Sequence, residues 1–93
     1  MSKVIVEGHI RVPLEKLNEL RPAIAKHVEL SRAEEGNIVF QLEENAEDPG
    51  RFDLYEEFVD NAAFEVHKQR TAQSDWAEQG KAVEKNFEVK EVN

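Results

Sequence analysis

At the start of the chain Val4, Val6, Ile10 and Val12 alternate with Ile5, Glu7, His9 and Arg11. Successive side chains of an extended strand point to opposite faces, so this period of two predicts a half-buried strand with Gly8 on its inward face. Pro13 has no backbone N–H to donate and ends the ladder. The period then changes. Leu17, Leu20, Ile24 and Val28 recur at intervals of three and four, which predicts a helix from Leu14 with one narrow apolar stripe. It closes at Gly36, a residue suited to a left-handed C-terminal position. Pro22 lies inside the run, so a bend near Glu19 to Arg21, or a helix in two pieces, is expected.

Alternation returns twice. Ile38, Phe40 and Leu42 alternate with Val39, Gln41 and Glu43, and Phe52, Leu54, Glu56 and Phe58 alternate with Asp53, Tyr55 and Glu57. The Asn45 to Gly50 segment between them carries Asp48-Pro49-Gly50, whose residues favour a turn, so the two strands should pair. Asp60 can cap a helix starting at Asn61, with Phe64 and His67 one turn apart on it. Ser74 can cap another, on which Trp76, Gly80 and Val83 recur at helical spacing. Phe87 and Val89, alternating with Glu88 and Lys90, predict a last strand. The order β, α, β, β, α in two pieces, β is that of a ferredoxin-like βαββαβ two-layer α+β sandwich. With no repeat or linker in view, residues 1–93 read as a single domain.

Composition narrows the function. Acidic residues number 20 against 12 basic ones, for a formal net charge of -8, which repels phosphate backbones and anionic lipid. Nucleic acid and membrane surfaces are therefore not expected partners. The chain has no cysteine, which removes disulfides, thiolate metal sites and cysteine nucleophiles. Its first residues offer too short an apolar run for a signal peptide or a membrane span, so a cytoplasmic protein is expected. A chain this short buries a modest share of its surface, and a second subunit would help stabilise it. His9, His27 and His67 do not form a metal-binding spacing, and no glycine-rich phosphate loop or GxSxG elbow occurs. No metal or organic cofactor is expected.

One position breaks the pattern. Glu56 falls on the inward face of its strand beside Phe52, Leu54 and Phe58, where an unpaired carboxylate is expensive to desolvate. His67, on the helix that follows, can supply a partner, and an imidazole held in one tautomer by a carboxylate can act as a base. The alternative is that Glu56 accepts backbone N–H bonds at a helix start and that His67 is a satisfied residue at the core edge. Trp76 reads either as core or as the wall of a pocket for a flat substrate. His27 flanks the helix stripe, at the helix edge or lining that pocket. Tyr55, with Ile5 and Val39, points to the opposite sheet face.

The succession EEGNIVFQLEEN followed by DPGRFDLYEEFVDNAAFEVH resembles the antibiotic biosynthesis monooxygenase family. A helix-end Glu-Gly, the Asp-Pro turn, Arg-Phe opening the third strand, Tyr-Glu-x-aromatic, Asp-x-x-Ala and a following histidine come in that family's order. The resemblance covers nearly the whole chain, most specifically Glu35 to His67. It implies a homodimer, a dimeric α+β barrel in which two sheets face each other, and a pocket between sheet and helices. It also implies oxygenation or isomerisation of small enolisable or phenolic molecules without a cofactor. His67 and Glu56 become the expected catalytic pair, and Trp76, Phe40, Phe58, Phe64 and His27 the expected substrate-binding residues. After the histidine many members continue with Ser/Thr-Pro-His-aromatic, where this chain has KQRTAQSDW. Gly8, His67 and Gly80 stand where haem-degrading relatives carry asparagine, tryptophan and a haem-ligating histidine, so haem degradation is not expected.

The leading expectation is a cofactor-independent monooxygenase acting on a small quinol-like or enolic substrate. The competing ones are an isomerase or degradation enzyme for a small carbonyl-bearing or phosphorylated signal, and a non-catalytic dimeric ligand-binding domain.

Overall fold

The alternation at the N-terminus produces the strand on which the sheet is built. Strand β1 (Lys3–Arg11) pairs antiparallel on one side with β3 (Arg51–Phe58) and on the other with β4 (Glu84–Val92), and β2 (Asn37–Glu44) adds to the outer side of β3. The resulting order β2-β3-β1-β4, with helix α1 (Leu17–Arg32) and helices α2 (Asn61–Ala72) and α3 (Asp75–Gln79) in the connections, is the ferredoxin-like βαββαβ arrangement. This computed structural model describes residues 2–93. No helix among them is long and apolar enough to cross a membrane.

The inward residues of each strand meet the helices in two clusters. Ile10, Val12 and Phe52 pack with Leu17, Leu20 and Ile24 of α1, and with Trp76 and Val83. Val4, Val6, Phe40, Leu54 and Phe58 form the second cluster, against which Ala63 and Phe64 of α2 rest. Glu56 is embedded in the latter, paired across the sheet with Val6 on one side and Phe40 on the other. Its position among apolar neighbours follows from alternation, as expected.

Several local expectations change. Helix α1 runs unbroken through Pro22, and the interruption lies earlier, in a separate 3-10 turn at Leu14–Lys16. Pro22 sits on the exposed side of α1, so the Asn18 carbonyl that loses its helical donor there can turn to water. Ile38 is 48% exposed, because a register irregularity between Asn37 and Val39 takes it out of the inward row. Ser74 stands at the N-cap of α3, but its hydroxyl donates to the Thr71 carbonyl at the end of α2 instead of accepting from the helix. Asp60 does cap α2, accepting from Ala63 N at 2.9 Å.

Gly36 is not left-handed; among the described residues only Gly8 and Gly50 have positive φ. Helix α1 already ends at Arg32, and two turns, Glu34 N to Ser31 O and Asn37 N to Glu34 O, lead into β2. What position 36 requires is the absence of a side chain. A Cβ there would overlap the Cβ of Ala63 and touch the side chain of Val59, whose N–H donates to the Gly36 carbonyl at 3.0 Å. The first turn of α2 thus lies directly against the α1–β2 connection. Gly36→Ala should lower stability by about 1–3 kcal/mol in a denaturant titration, and Ala63→Gly in the same chain should restore most of it. Equal stability of wild type and Gly36→Ala would mean that this contact does not hold the helix.

Candidate active site

Between the sheet and α2 lies a cavity of about 290 Å³ lined by Phe40, Leu54, Phe64 and Trp76, with Glu56, His67 and His27 as its buried polar groups. Phe87, Val89, Lys68 and Lys85 form part of its wall on the side of α2 and β4. Of the expected substrate-binding residues, Phe40, Phe64, Trp76 and His27 line the cavity together. Phe58 does not; it is fully buried, its ring centroid 5.0 Å from that of His67, and it backs the imidazole.

His67 is the one buried residue of α2. Its Nδ1 lies 2.7 Å from Glu34 Oε1. A carboxylate only accepts, so Nδ1 carries the proton and donates, and in the neutral ring the lone pair is on Nε2. Glu34 is held in turn by Arg70, whose Nε donates to Oε2 at 2.5 Å and whose Nη2 donates to Ser31 Oγ at 2.9 Å. Glu56 Oε1 is 3.6 Å from Nε2, within ion-pair range but beyond a hydrogen bond. The residue that fixes the imidazole is therefore Glu34, with Glu56 on the opposite edge of the ring.

Sequence reasoning did not single out Glu34, Arg70 or Ser31. Glu34 looks like one more acidic residue before a glycine. The available signal was Arg70, which follows His67 by three residues and so shares its face of α2.

Burial separates the charges. Desolvation first, and the nearby Glu34 charge second, push the Glu56 carboxyl up to about 8, so it is a neutral acid at pH 7. Desolvation also lowers the His67 pKa despite the hydrogen bond and charge of Glu34, which act to raise it. His27 is lowered to about 4, by desolvation and then by His67. It is stacked on Trp76 with centroids 5.6 Å apart, edge-on to Phe40 at 5.5 Å, and 5.8 Å from the His67 ring. At neutral pH the cavity thus holds two neutral imidazoles and a protonated carboxyl. Among the described residues no cluster of His, Asp or Glu side chains is arranged to hold a metal ion.

The family model for antibiotic biosynthesis monooxygenase matches residues 3–79. The chain belongs to this family. A Bacillus subtilis (strain 168) relative, "Putative monooxygenase YcnE", is 32% identical over 66 residues, covering 71% of this chain and 70% of that one. The solved structure of a "Putative antibiotic biosynthesis monooxygenase from Nitrosomonas europaea" superposes with a TM-score of 0.77 at 24% identity, over 100% of this chain and 97% of the other. A conserved protein of Bacteroides thetaiotaomicron VPI-5482 gives 0.82 at 20% identity, over 97% of each chain. These structures share the fold of the family member described here.

The site carries a pH signature. Glu56 keeps its proton in the folded state between 4.5 and about 8 while the unfolded chain loses it, so its contribution to stability declines as pH rises through that window. His27 does the reverse: between 6.5 and about 4 the unfolded chain takes up the proton first, and stability declines as pH falls. Between pH 4.5 and 6.5 the Glu56 slope opposes that of His27 and that of His67, whose pKa burial also lowers. From 6.5 to about 8 Glu56 acts alone, and wild type should lose about 2 kcal/mol relative to Glu56→Gln, measured by urea unfolding at both pH values. Parallel curves for the two proteins would show that Glu56 is not buried as a neutral acid.

Proposed function

We propose that this family member is a cofactor-independent monooxygenase acting on a small quinol-like or enolic substrate, with His67 as the base. The observation that carries this reading is the Glu34–His67 hydrogen bond of 2.7 Å, which directs the Nε2 lone pair away from Glu34 in a ring that borders an apolar cavity. A base needs a defined tautomer and a partner for the charge it acquires. Glu34, held by Arg70, supplies both when Nε2 takes a proton from a substrate hydroxyl or activated C–H.

The resulting phenolate or enolate carbanion is electron-rich enough to reduce dioxygen, and addition of oxygen to carbon gives a peroxide. For a CH₂ or aromatic C–H centre next to the activating oxygen, the peroxide takes back the first proton from His67, His67 removes the remaining C–H proton, that electron pair forms the C=O bond as the O–O bond breaks, and the distal oxygen leaves as hydroxide to be protonated to water. One oxygen molecule and two substrate hydrogens thus become a carbonyl and water. Glu56, a neutral acid beside Nε2, can give a proton to the departing oxygen and recover it from the imidazolium. Phe40, Phe64, Trp76 and Leu54 keep bulk water from the anion. His27, neutral and uncharged beside His67, adds a hydrogen-bonding group without adding charge.

Oxygen uptake with a panel of quinols and 1,3-dicarbonyl compounds tests this. Wild type should consume one oxygen per product, His67→Ala should fall by about 10²–10⁴-fold, and Glu34→Gln should lose a large part of that rate with its fold intact. Turnover without oxygen uptake would replace this reading with isomerase or degradation chemistry at the same base. Lack of turnover or binding across the panel would favour a non-catalytic domain.

The same reading takes a second copy of the chain over the outer sheet face, where Ile5, Val39 and Tyr55 are half-buried among Lys3, Glu7 and Glu57. On β4 the outer-face residues Glu84, Asn86, Glu88 and Lys90 are exposed in the single chain, and a partner on this face would cover part of them. Light scattering at micromolar concentration should give twice the 10.7 kDa chain mass, and a monomer mass would overturn the dimer.

A further inference from the structure

We propose that the substrate of this cavity carries a carboxylate, received by Lys85 at the edge of β4, while its apolar reactive portion lies inward beside His67. The proposal rests on the cavity being the substrate site.

The register of β4 selects Lys85. Lys85, Phe87 and Val89 stand opposite Ile10, Gly8 and Val6, and directly paired residues of an antiparallel sheet share a face, so all three lie on the helix-facing side. Phe87 and Val89 are 44% and 53% exposed there, because the helices do not extend over this edge. A cation thus continues an otherwise apolar row in the cavity wall. Glu84 and Glu88, its acidic near neighbours, fall on the opposite face by alternation, and Glu84 accepts from Asn86.

Lys85 consequently makes no ion pair among the described residues. Its ammonium donates to the carbonyls of Gly80 at 3.2 Å and Val83 at 3.4 Å. Those two contacts orient the group and leave one N–H and the whole charge unmatched. Lys68, the other lysine of the cavity, is in a different condition: it is paired with Glu65 at 2.8 Å and lies over the Phe64 ring. In a chain of net charge -8, an unpaired cation beside an apolar cavity is the one place at this site that favours an anion.

A single ammonium fits a monoanion. Among the described residues no second free cation or helix N-terminus joins Lys85 in lining the cavity, so a phosphate dianion would stay largely uncompensated among the surrounding acidic groups. The cavity of about 290 Å³ is at the small end for ligand sites and suits a compound of one or two rings.

The test uses 2-naphthoate, its neutral isostere 2-naphthamide, and 2-naphthyl phosphate as probes, followed by NMR shifts of the Trp76 indole N–H and the His67 ring. Naphthoate should bind wild type about tenfold more tightly than the amide, and than the phosphate. Lys85→Met should erase the preference over the amide; Lys85→Arg should keep it. Equal affinity for naphthoate and naphthamide, a preference that survives Lys85→Met, or tighter binding of the phosphate would each overturn the carboxylate assignment while leaving the cavity as a binding site. A fall in unfolding midpoint with no change in preference would reduce Lys85 to a helix-end contact. If none of the three probes moves Trp76 or His67 at millimolar concentration, the substrate-site reading fails along with this one.

Discussion

Glu34 is the carboxylate on which the site depends, because it ties together segments that are distant in sequence. It sits in the turn between α1 and β2, accepts from His67 and Arg70 one turn apart on α2, and its side chain is only 13% exposed. A carboxylate so placed is costly unless its oxygens are engaged, and here each has a donor. Arg70 continues the chain of contacts to Ser31, which is fully buried on the last turn of α1. The bare Gly36 allows α2 to come close enough for these bonds to form. The same polar cluster therefore fixes where α2 rests on the sheet and which imidazole nitrogen is free.

The arrangement also separates acid from base. Glu34 and Glu56 lie on opposite edges of one ring, and in a poorly polarisable interior two carboxylates that close cannot both be charged at little cost. Arg70 stabilises the charge on Glu34. Glu56 has Val6 and Phe40 as its sheet neighbours and no cation at hydrogen-bond distance, so it keeps its proton. Burial raises the Glu56 carboxyl and lowers the His67 imidazole, so at neutral pH the carboxyl holds the proton and the imidazole has the free lone pair. Glu56 lies 3.6 Å from His67 Nε2, on the edge that Glu34 leaves free, and an inward carboxyl without a cation has a second solution besides charged pairing: to stay a neutral acid.

Strand periodicity made most of the architecture readable. Val4, Val6, Ile10, Phe52, Leu54, Glu56 and Phe58 all lie inward as alternation requires, and Asp60 begins α2 as its side chain allows. What could not be read depends on contacts between elements. Ile38 obeys the alternation locally, but a bulge set by pairing with β3 takes it out of the row. Gly36 has two possible reasons to be glycine, a left-handed backbone or a close neighbour, and only the placement of Ala63 decides between them. Phe58 shares the inward face with Leu54, yet it lies behind the imidazole and not on the cavity wall, a distinction that depends on the depth of α2. For the cavity, residues on the inward face were legible as a set, and their order from mouth to floor was not.

The segment after His67 shows how a departure in sequence can carry part of the site. KQRTAQSDW holds no proline, so α2 continues through Arg70 to Ala72 before Ser74 starts α3. A proline within the two residues after His67 would disfavour helical geometry at the residue before it and strain the preceding turn, which contains the imidazole itself. Helical continuation has a specific consequence here: it puts Arg70 on the face of His67, where its guanidinium can hold the second oxygen of Glu34. The orientation of His67 thus draws on Arg70, one turn further along α2. A chain that ended α2 earlier would need another group to hold Glu34, or another way to orient the ring.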